Sequence, residues 1–525
     1  MSVYLGLDAS TQSLTATLID ASARGVIAEV SLNYAAELPQ YGTDHGVIRG
    51  DDPRVVTAPP LMWIEALDLM LARLVAEYRE PMSRLAAISG SAQQHGSLYL
   101  NERWPAALTA TRPDRQLAHQ LTDTFARELA PVWMDSSTTR ECEEIEAGVG
   151  GAQALARNTG SRAFERFTGP QIRAFAKHDP AGYARTTRVH LVSSFHASLL
   201  SGTDAPIDAG DGSGMNLMSL TTREWWPAAV NATAPELAWR LPPVRPSWTI
   251  AGTLARYWRD RYGLPAARVA VWSGDNPCSL IGTGLVREGQ LGISLGTSDT
   301  VCGMMREPRI HDAGIGYVSA SPTGEYMGTT VFKNGSLARE RVRDAYGMNW
   351  AAFSVALRST PPGNGGAIML PWFDPEITPH VLEPGVRRVS LREDDAPGNV
   401  RAIIEAQMMA MANHTLWMME AGPAVIYAMG GASGNRDVLQ VMADVFGAEV
   451  IRSRAGNAAA LGAALRAWHA DARASGSPIG WEDVVAGFTD PDPAWRVTPR
   501  ADATAVYIDL RRRYADAEKN ALKSV

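Results

Sequence analysis

The sequence predicts an α/β protein built from two similar domains. The chain has 525 residues, which is more than one hydrophobic core usually holds, so at least two domains are expected. A strand–polar turn–strand pattern occurs once in each half, at 3–19 and at 290–305. Other short apolar strands run into glycine-rich turns and helical patterns, as they do in α/β folds. We predict an N-terminal domain at 1–254 and a C-terminal domain at 255–525.

The first half opens with a predicted hairpin. Residues 3–7 and 14–19 are apolar or β-branched, and the polar residues 8–13 lie between them as a turn. Helical spacing of apolar residues predicts a helix over 62–78, and 85–89 is a strand that leads into Gln93, Gln94 and His95. The proline-rich segment 239–248 is the best candidate for a linker.

The second half repeats the opening pattern. The segment 6–11 aligns with 292–297, an offset of 286 residues. A recurring unit of this kind is typical of a duplicated domain. The match spans only six positions, so duplication and chance similarity both stay open at this point. A strand at 424–429, a glycine-rich turn and a helical pattern follow, and 504–522 is predicted to be a charged surface helix.

Composition excludes several classes of function. The net charge is −7 and no long basic cluster occurs, so no nucleic-acid partner is expected. The three cysteines, Cys142, Cys278 and Cys302, are isolated, which excludes a disulfide framework and an ordinary zinc site. We find neither a signal peptide nor an apolar run of about 20 residues, so no membrane association is expected. The predicted location is the cytoplasm.

Three polar turns, around Asp8, Thr297 and Gly430, follow predicted strands. Glycine lets a backbone approach a phosphate closely, and backbone amides and hydroxyls supply donors to its oxygens. Asp8 is suited to hold Mg²⁺, directly or through water. The same residue types are also typical of ordinary hairpin and βα turns, and that alternative stays open.

Asp275 follows the predicted strand at 269–272 and could act as a general base towards a hydroxyl group. It could equally cap the helix that starts at Pro277, unless Asn276 is the cap. Gln93, Gln94 and His95 suit the binding of a polyhydroxylated ligand, although His95 could also be an ordinary loop histidine.

Two competing motifs are excluded. The segment 292–296 matches G-x-S-x-G, but that nucleophile elbow needs a helix directly after the serine, and here a turn and a strand follow. No Gly-Lys pair occurs, which excludes a Walker A loop, and Asp-Phe-Gly is absent. Phosphoryl transfer would therefore need another nucleotide-binding fold.

Eight stretches, taken together, resemble the FGGY family of carbohydrate kinases, and the animal-type members more than the short bacterial ones. They are 91–97, 131–139, 165–169, 211–216, 274–277, 294–300, 332–336 and 430–433. The resemblance covers about 4–469. It implies the duplicated actin-like (ribonuclease H-like) ATPase fold, with two domains and a central cleft.

The resemblance also implies ATP-dependent phosphorylation of a sugar, with ATP, Mg²⁺ and a small-molecule sugar as the bound partners. Asp275 would be the catalytic base, and His95 would donate from a buried position to a sugar hydroxyl. The other implied contacts are Arg166, Asp275 and Asn276 for the sugar, Asp8, Thr11 and Gln12 for the first phosphate loop, Thr297 for the second, Trp350 for the adenine pocket, and Gly430, Gly431, Ala432 and Asn435 for adenosine.

Two departures from the family pattern occur. Gln171 follows Pro170 where bacterial members usually have Lys, and the C-terminal signature is poorly matched around 385–405. Neither touches the implied catalytic residues. A terminal hydroxyl of a ketose is the implied acceptor, while ribulose, another ketose or a polyol stays open, as does a non-kinase actin-like ATPase. The oligomeric state is expected to be a monomer or a homodimer.

Overall fold

The structure is a computed structural model that describes residues 2–311, 314–419, 422–453 and 456–523. The chain forms two compact units. Unit 1 contains Met1–Val286, Val318–Tyr326 and Ala455–Asp490, and unit 2 contains Arg287–Tyr317, Met327–Arg454 and Pro491–Val525. Residues 255–286, which were predicted to belong to the C-terminal domain, lie in unit 1.

Both halves of the chain contain strands and helices. The strands before residue 287 are β1 Val3–Ala9, β2 Ser13–Asp20, β3 Gly25–Asn33, β4 Ile48–Arg49, β5 Val56–Ala58, β6 Leu85–Ala92, β7 Ser97–Leu100, β8 Ala130–Pro131, β9 Arg188–Leu191, β10 Ile207–Asp208, β11 Val244–Arg245, β12 Ile250–Thr253, β13 Arg268–Ala270 and β14 Ser273–Gly274. The helices there are α1 Tyr34–Glu37, α2 Pro60–Glu77, α3 Arg79–Ser83, α4 Trp104–Thr109, α5 Leu117–Leu121, α6 Thr139–Gly148, α7 Ala152–Thr159, α8 Thr168–His178, α9 Pro180–Arg185, α10 Val192–Ser201, α11 Ala209–Ser213, α12 Pro227–Thr233, α13 Leu237–Arg240, α14 Arg256–Tyr262 and α15 Asp275–Gly282.

The later elements follow the same numbering. The strands are β15 Gln290–Leu295, β16 Asp299–Met305, β17 Tyr317–Ala320, β18 Tyr326–Phe332, β19 Ile368–Leu370, β20 Arg387–Val389, β21 Val425–Met429, β22 Glu449–Arg452 and β23 Arg496–Val497. The helices are α16 Ser336–Ala345, α17 Trp350–Ser359, α18 Ala396–His414, α19 Arg436–Phe446, α20 Ala458–Ala474, α21 Trp481–Val485 and α22 Ala501–Lys523.

The main sheet of unit 1 has the strand order β12-β13-β6-β1-β2-β3, and β14 also pairs with β6. The central strand β1 is buried on both faces, because Leu5 and Leu7 pack in the core that contains α2, while Tyr4 packs beside α15 and α20. Helix α20 lies directly on β1 at Gly6, where an added Cβ would be 2.1 Å from the carbonyl oxygen of Ala460. Only glycine allows this close approach.

The sheet of unit 2 repeats this topology. It includes the strand order β18-β16-β15-β21-β22-β23. In both units the first strand pairs antiparallel with the next one and parallel with a later one: β1 with β2 and β6, and β15 with β16 and β21. Helices α18, α19 and α22 contribute to the core that covers β15. The predicted α/β class and the duplication are both confirmed.

Two local predictions need correction. The segment 239–248 is not a linker between the compact units, because it lies inside unit 1, where the Ser247 hydroxyl donates to the buried Asp208 carboxylate. The predicted surface helix near the C-terminus exists as α22, but one of its faces is buried through Tyr507, Leu510 and Tyr514. Their spacing of three and four residues places them on one side of the helix.

Candidate active site

Three polar segments of unit 1 follow three strands that run parallel to one another. Asp8 of β1 lies opposite Ser91 of β6, and Ala92 of β6 lies opposite Gly274 of β14. Because parallel strands end at the same edge of a sheet, Asp8, the segment 93–95 and Asp275 come together there. Ligands of open α/β sheets usually bind at this edge.

Asp275 is the first residue of α15, and Gly274 is the helix N-cap. Neither Asp275 nor Asn276 is therefore the cap, although the Asp275 carboxylate does accept the Asn276 N–H at 2.8 Å. Loss of hydration raises the pKa of the partly exposed Asp275 to about 7, and the negative charge of Asp8 adds to this effect. A carboxylate that titrates near neutral pH is suited to accept a proton from a hydroxyl group.

Asp8 is 5% exposed, and one of its carboxylate oxygens accepts the Ser91 hydroxyl at 2.6 Å. Burial raises its pKa, and the Ser91 hydrogen bond opposes that rise. No donor among the described residues contacts the second oxygen, which leaves it able to bind Mg²⁺ or a water of its shell. Within the described chain, no three His, Cys, Asp or Glu side chains form a metal-binding group. Such an ion would therefore take most of its ligands from phosphate and water.

The turn that contains the predicted phosphate contacts Thr11 and Gln12 connects β1 to β2. It is closed by a hydrogen bond from the Ser10 N–H to the Ser13 carbonyl, at 2.9 Å. The Thr11 hydroxyl accepts the indole N–H of Trp133 at 2.8 Å, so its own proton can be donated to a ligand. Gln12 is exposed. The turn thus presents the kinds of donor that a phosphate needs.

His95 lies beside this edge in a left-handed backbone conformation, with φ of 71°. Its Nδ1 is 2.9 Å from the carbonyl oxygen of Gly214, and its ring stacks on Phe167 with centroids 4.5 Å apart. Burial, together with the nearby charge of Arg166, lowers the pKa of His95 to about 3. The ring is therefore neutral and donates through Nδ1, which leaves Nε2 as an acceptor. This corrects the prediction that His95 donates to the sugar.

Arg166 is partly exposed and lies over two aromatic rings, 5.1 Å from the Phe164 centroid and 5.5 Å from the Phe167 centroid. It forms no ion pair with a carboxylate in the part of the chain that the structure describes. A guanidinium group held in this way keeps its five N–H donors for a ligand. His95 and Arg166 together offer an acceptor and several donors, which suits a polyhydroxylated sugar.

Gln94, in the segment 93–95, contacts the start of α15. Its amide oxygen accepts the side-chain amide of the exposed Asn276 at 2.7 Å. A Cβ at position 274 would lie 2.4 Å from the Gln94 side chain, which explains the glycine before Asp275. Gln93 is buried, and its amide atoms have no partner among the described residues. Two segments that are far apart in the sequence therefore meet at Asp275.

Two buried carboxylates near this edge, Asp208 and Asp211, were not among the predicted site residues. Asp208 caps α11 and accepts the hydroxyls of Ser247 and Ser273. Asp211 is 1% exposed, accepts the Ser193 hydroxyl and has one oxygen without a partner in the described chain. Burial raises the pKa of Asp211 to about 8, with further contributions from the charges of Asp208 and Asp275. An acid within a run of small residues, 209–214, was the signal available in the sequence.

Unit 2 brings its own two turns together. Thr297 is exposed in the turn between β15 and β16, and Ser294 of β15 lies opposite Met429 of the parallel strand β21. Gly430 has φ of 81°, and an added Cβ would be 2.6 Å from the carbonyl oxygen of Leu295. The turn between β15 and β16 and the glycine-rich turn at 430–434 are therefore neighbours, with Gly430 and Gly431 exposed and Ala432 partly buried.

Trp350 and Asn435 lie on helices that contact each other in unit 2. Trp350 begins α17, is 45% exposed and has the Arg343 guanidinium 4.6 Å from its ring centroid. Asn435 is the N-cap of α19 and accepts the Asp437 N–H, while its amide donates to the Ser354 hydroxyl of α17 at 2.8 Å. The side chain of Asn435 therefore holds the glycine-rich turn at 430–434 beside α17. A contact with adenosine would be a second role of this residue.

The two units repeat one sheet topology, and each has polar turns at the ends of its strands, as in the duplicated actin-like ATPase fold. Residues 121–282 match the N-terminal domain of the FGGY family of carbohydrate kinases, and residues 291–470 match its C-terminal domain. The chain belongs to this family. Membership makes it a carbohydrate kinase and implies ATP as the phosphoryl donor.

Relatives of known function match nearly the whole chain. It is 41% identical over 529 residues to the xylulose kinase of Rattus norvegicus, covering 99% of this chain and 97% of the rat protein. It is 42% identical over 491 residues to xylulose kinase 2 of Arabidopsis thaliana, covering 89% of this chain and 87% of the plant protein. A solved structure of a xyloylose kinase from Brucella ovis has a TM-score of 0.83 at 23% identity, with 99% of each chain covered, and so shares the fold.

No helix in the described part of the chain is both long enough and apolar enough to cross a membrane.

Proposed function

We propose that this protein transfers the γ-phosphate of MgATP to O5 of D-xylulose and forms D-xylulose 5-phosphate. The name of the rat relative, which is 41% identical over 99% of this chain, supports the choice of sugar. The position of Asp275 supports the chemistry. This carboxylate lies at the sheet edge beside Asp8, and its pKa is raised to about 7. It can therefore be ionised near neutral pH and still accept a proton.

In the proposed reaction, the O5 hydroxyl gives its proton to Asp275 as O5 forms a bond to the γ-phosphorus. The bond from that phosphorus to the bridging oxygen breaks, and ADP leaves with the bond's electron pair. Positioning and stabilisation of charge supply most of the rate enhancement in such transfers. We assign the sugar hydroxyls to the Nε2 acceptor of His95, the free guanidinium donors of Arg166 and the amide of Asn276.

We assign phosphate contacts to Thr11 and Gln12 and to Thr297. Mg²⁺ would be held by Asp8, directly or through water, and would neutralise charge on the transferring group. Trp350 would form a wall of the adenine pocket, and the glycine-rich turn at 430–434 would contact adenosine. The exposed turn residues at these positions support the assignment.

The decisive experiment measures ADP release by the purified protein with MgATP and a panel of sugars. D-Xylulose should give the highest kcat/KM, above D-ribulose, L-ribulose, D-xylose and glycerol. Phosphorylation at O5 should be identified by NMR of the product. A clear preference for a ribulose or a polyol would overturn the choice of substrate, and ATP hydrolysis that no sugar stimulates would overturn the proposed reaction.

A further inference from the structure

Unit 2 contains a buried ion pair directly behind the turn 296–298, which connects β15 to β16 and contains Thr297. Asp299 is the first residue of β16, and Arg339 lies in the first turn of α16. The guanidinium makes two hydrogen bonds to the carboxylate, at 2.9 and 3.1 Å, and each residue is 1% exposed. A charge pair this deeply buried is unusual unless it has a specific task.

The duplication provides an internal comparison for this position. In unit 2, Asp299 lies opposite Leu295 at the end of the hairpin ladder. The equivalent pair in unit 1 is Ala9 and Leu14, and Leu14 is 0% exposed. The fold thus accepts an apolar side chain where unit 2 has a charge. Well-packed apolar residues are often at least as stabilising as a buried ion pair, so stability alone does not account for the Asp299–Arg339 pair.

Arg339 also contacts the turn itself. One of its terminal nitrogens is 3.3 Å from the carbonyl oxygen of Gly296, which also accepts the Ser336 N–H at 2.8 Å. The start of α16 packs so closely on the turn that a Cβ at Gly335 would lie 2.6 Å from the carbonyl oxygen of Thr297. The turn is therefore supported from behind by the same helix that carries Arg339.

Gln407 of α18 completes this support. Its amide oxygen accepts from Arg339 at 2.9 Å, and its amide nitrogen donates to the carbonyl of Asn334 at 2.7 Å and to that of Gly335 at 3.0 Å. Arg339 thus has defined partners on the turn, on β16 and on α18. A network with this many fixed partners allows little movement of the turn.

We propose that Asp299 and Arg339 are positioning residues that hold the turn 296–298 in the conformation that binds a nucleotide phosphate. The inference rests on the proposed function, because it takes this turn as a phosphate site. The pair touches no phosphate itself. It fixes the backbone from behind, so that the Thr297 hydroxyl and the N–H groups of the turn face the ligand.

The test replaces the pair with apolar residues in the double variant Asp299→Leu/Arg339→Met. Calorimetry should show that ADP affinity falls about 10-fold or more, because the donors of the turn lose their alignment. Adenosine affinity and the KM for D-xylulose should stay unchanged, since neither ligand uses this turn. Unchanged ADP affinity in a folded double variant would overturn the proposal. Arg339→Lys, which keeps the charge but loses the paired hydrogen bonds, should give a smaller loss in the same direction.

The matched control is the buried pair Arg401–Glu405, which lies in α18 of the same unit and makes no described contact with the turn. Arg401→Met/Glu405→Leu should leave ADP and adenosine affinity unchanged. A similar loss of ADP affinity in this control would overturn the specific role of Asp299–Arg339.

If the Asp299–Arg339 double variant does not fold, Arg339→Lys tests the proposal by the same comparison of ADP affinity with adenosine affinity. Thr297→Val separates the positioning role of Asp299–Arg339 from the phosphate site at the turn 296–298. If ADP affinity falls in Thr297→Val but not in the Asp299–Arg339 double variant, only the positioning role is refuted. If ADP affinity is unchanged in both variants, the phosphate site itself is refuted.

Discussion

The negative charge of Asp8 adds to the effect of burial on Asp275, and together they raise the pKa of the Asp275 carboxyl to about 7. Asp8 lies in β1 and Asp275 follows β14, and both strands pair with β6. Their proximity therefore depends on the order of strands in the sheet. It also makes the protonation of the proposed base sensitive to its neighbour.

The first prediction concerns the pH dependence of kcat/KM for D-xylulose. Asp275 must be deprotonated to act as a base, so activity should rise with pH and reach half its maximum near pH 7. In Asp8→Asn the neighbouring negative charge is absent, so the pKa of Asp275 should fall and the rise should move to lower pH. The midpoint is the quantity to measure, because Asp8→Asn should also lower the maximum by weakening Mg²⁺ binding. A midpoint that does not move would contradict the coupling.

The second prediction concerns Asp275→Asn, which keeps the shape of the side chain and removes its basicity. Turnover should fall about 100-fold or more, the usual range for loss of a general base. ADP affinity should change little, since the proposed nucleotide contacts are elsewhere. Stopped-flow or steady-state ADP release measures the first quantity and calorimetry the second. Near-normal turnover would show that Asp275 is not the base.

The third prediction concerns His95 and Arg166. His95→Ala should raise the KM for D-xylulose and leave the KM for ATP unchanged, because it removes the Nε2 acceptor. The pKa of His95 is lowered to about 3, so His95 stays neutral and its contribution to sugar binding should not vary between pH 6 and 8. Arg166→Lys should also raise the KM for D-xylulose, since lysine lacks the planar set of donors of a guanidinium group. A change confined to the KM for ATP would refute the assignment of both residues to the sugar.

The fourth prediction concerns Asp211. Its pKa is raised to about 8 in the folded protein, so the protonated carboxyl stabilises the fold at low pH, and this contribution is lost as pH rises towards 8. Each pKa unit of difference corresponds to roughly 1.4 kcal/mol. Asp211→Asn stays neutral, so its Tm relative to the wild type should increase steadily from pH 5 to pH 8.5. Asp51→Asn, at an exposed position, is the control and should show no such trend. A Tm difference between Asp211→Asn and the wild type that stays constant across this pH range would contradict the raised pKa of Asp211.

The fifth prediction compares two neighbouring glycines. Gly430→Ala places a Cβ against the Leu295 carbonyl at a φ of 81°, whereas a Cβ at Gly431 meets nothing within 4 Å. Gly430→Ala should therefore destabilise the fold by about 1–3 kcal/mol and weaken ATP binding. Gly431→Ala should leave Tm nearly unchanged and so provides the matched control. Equal effects of the two substitutions on Tm would show that the close approach of Gly430 to the Leu295 carbonyl does not require glycine at this position.

Much of the fold was predictable because its signals are local. Apolar and β-branched strands around polar turns identified β1, β2, β15 and β16, and the six-residue repeat indicated the duplication that the strand order confirms. The boundary between the compact units was not predictable in this way. Helix α15 packs on α20, which lies some 180 residues further along the chain, so residues 255–286 join unit 1 through contacts that have no local signature.

The residues of the candidate site divide in the same manner. From its residue types and their order alone, the sequence determined the α/β class, the polar turns around Asp8, Thr297 and Gly430, and Asp275 as a candidate base. Only the tertiary structure decided that Gly274 caps α15, that the hydrogen bond of His95 to Gly214 leaves it an acceptor, and that Asp299 pairs with Arg339. Hydration, charge and hydrogen-bond partners depend on which residues are close in space, and the pairing of strands from distant segments sets that proximity.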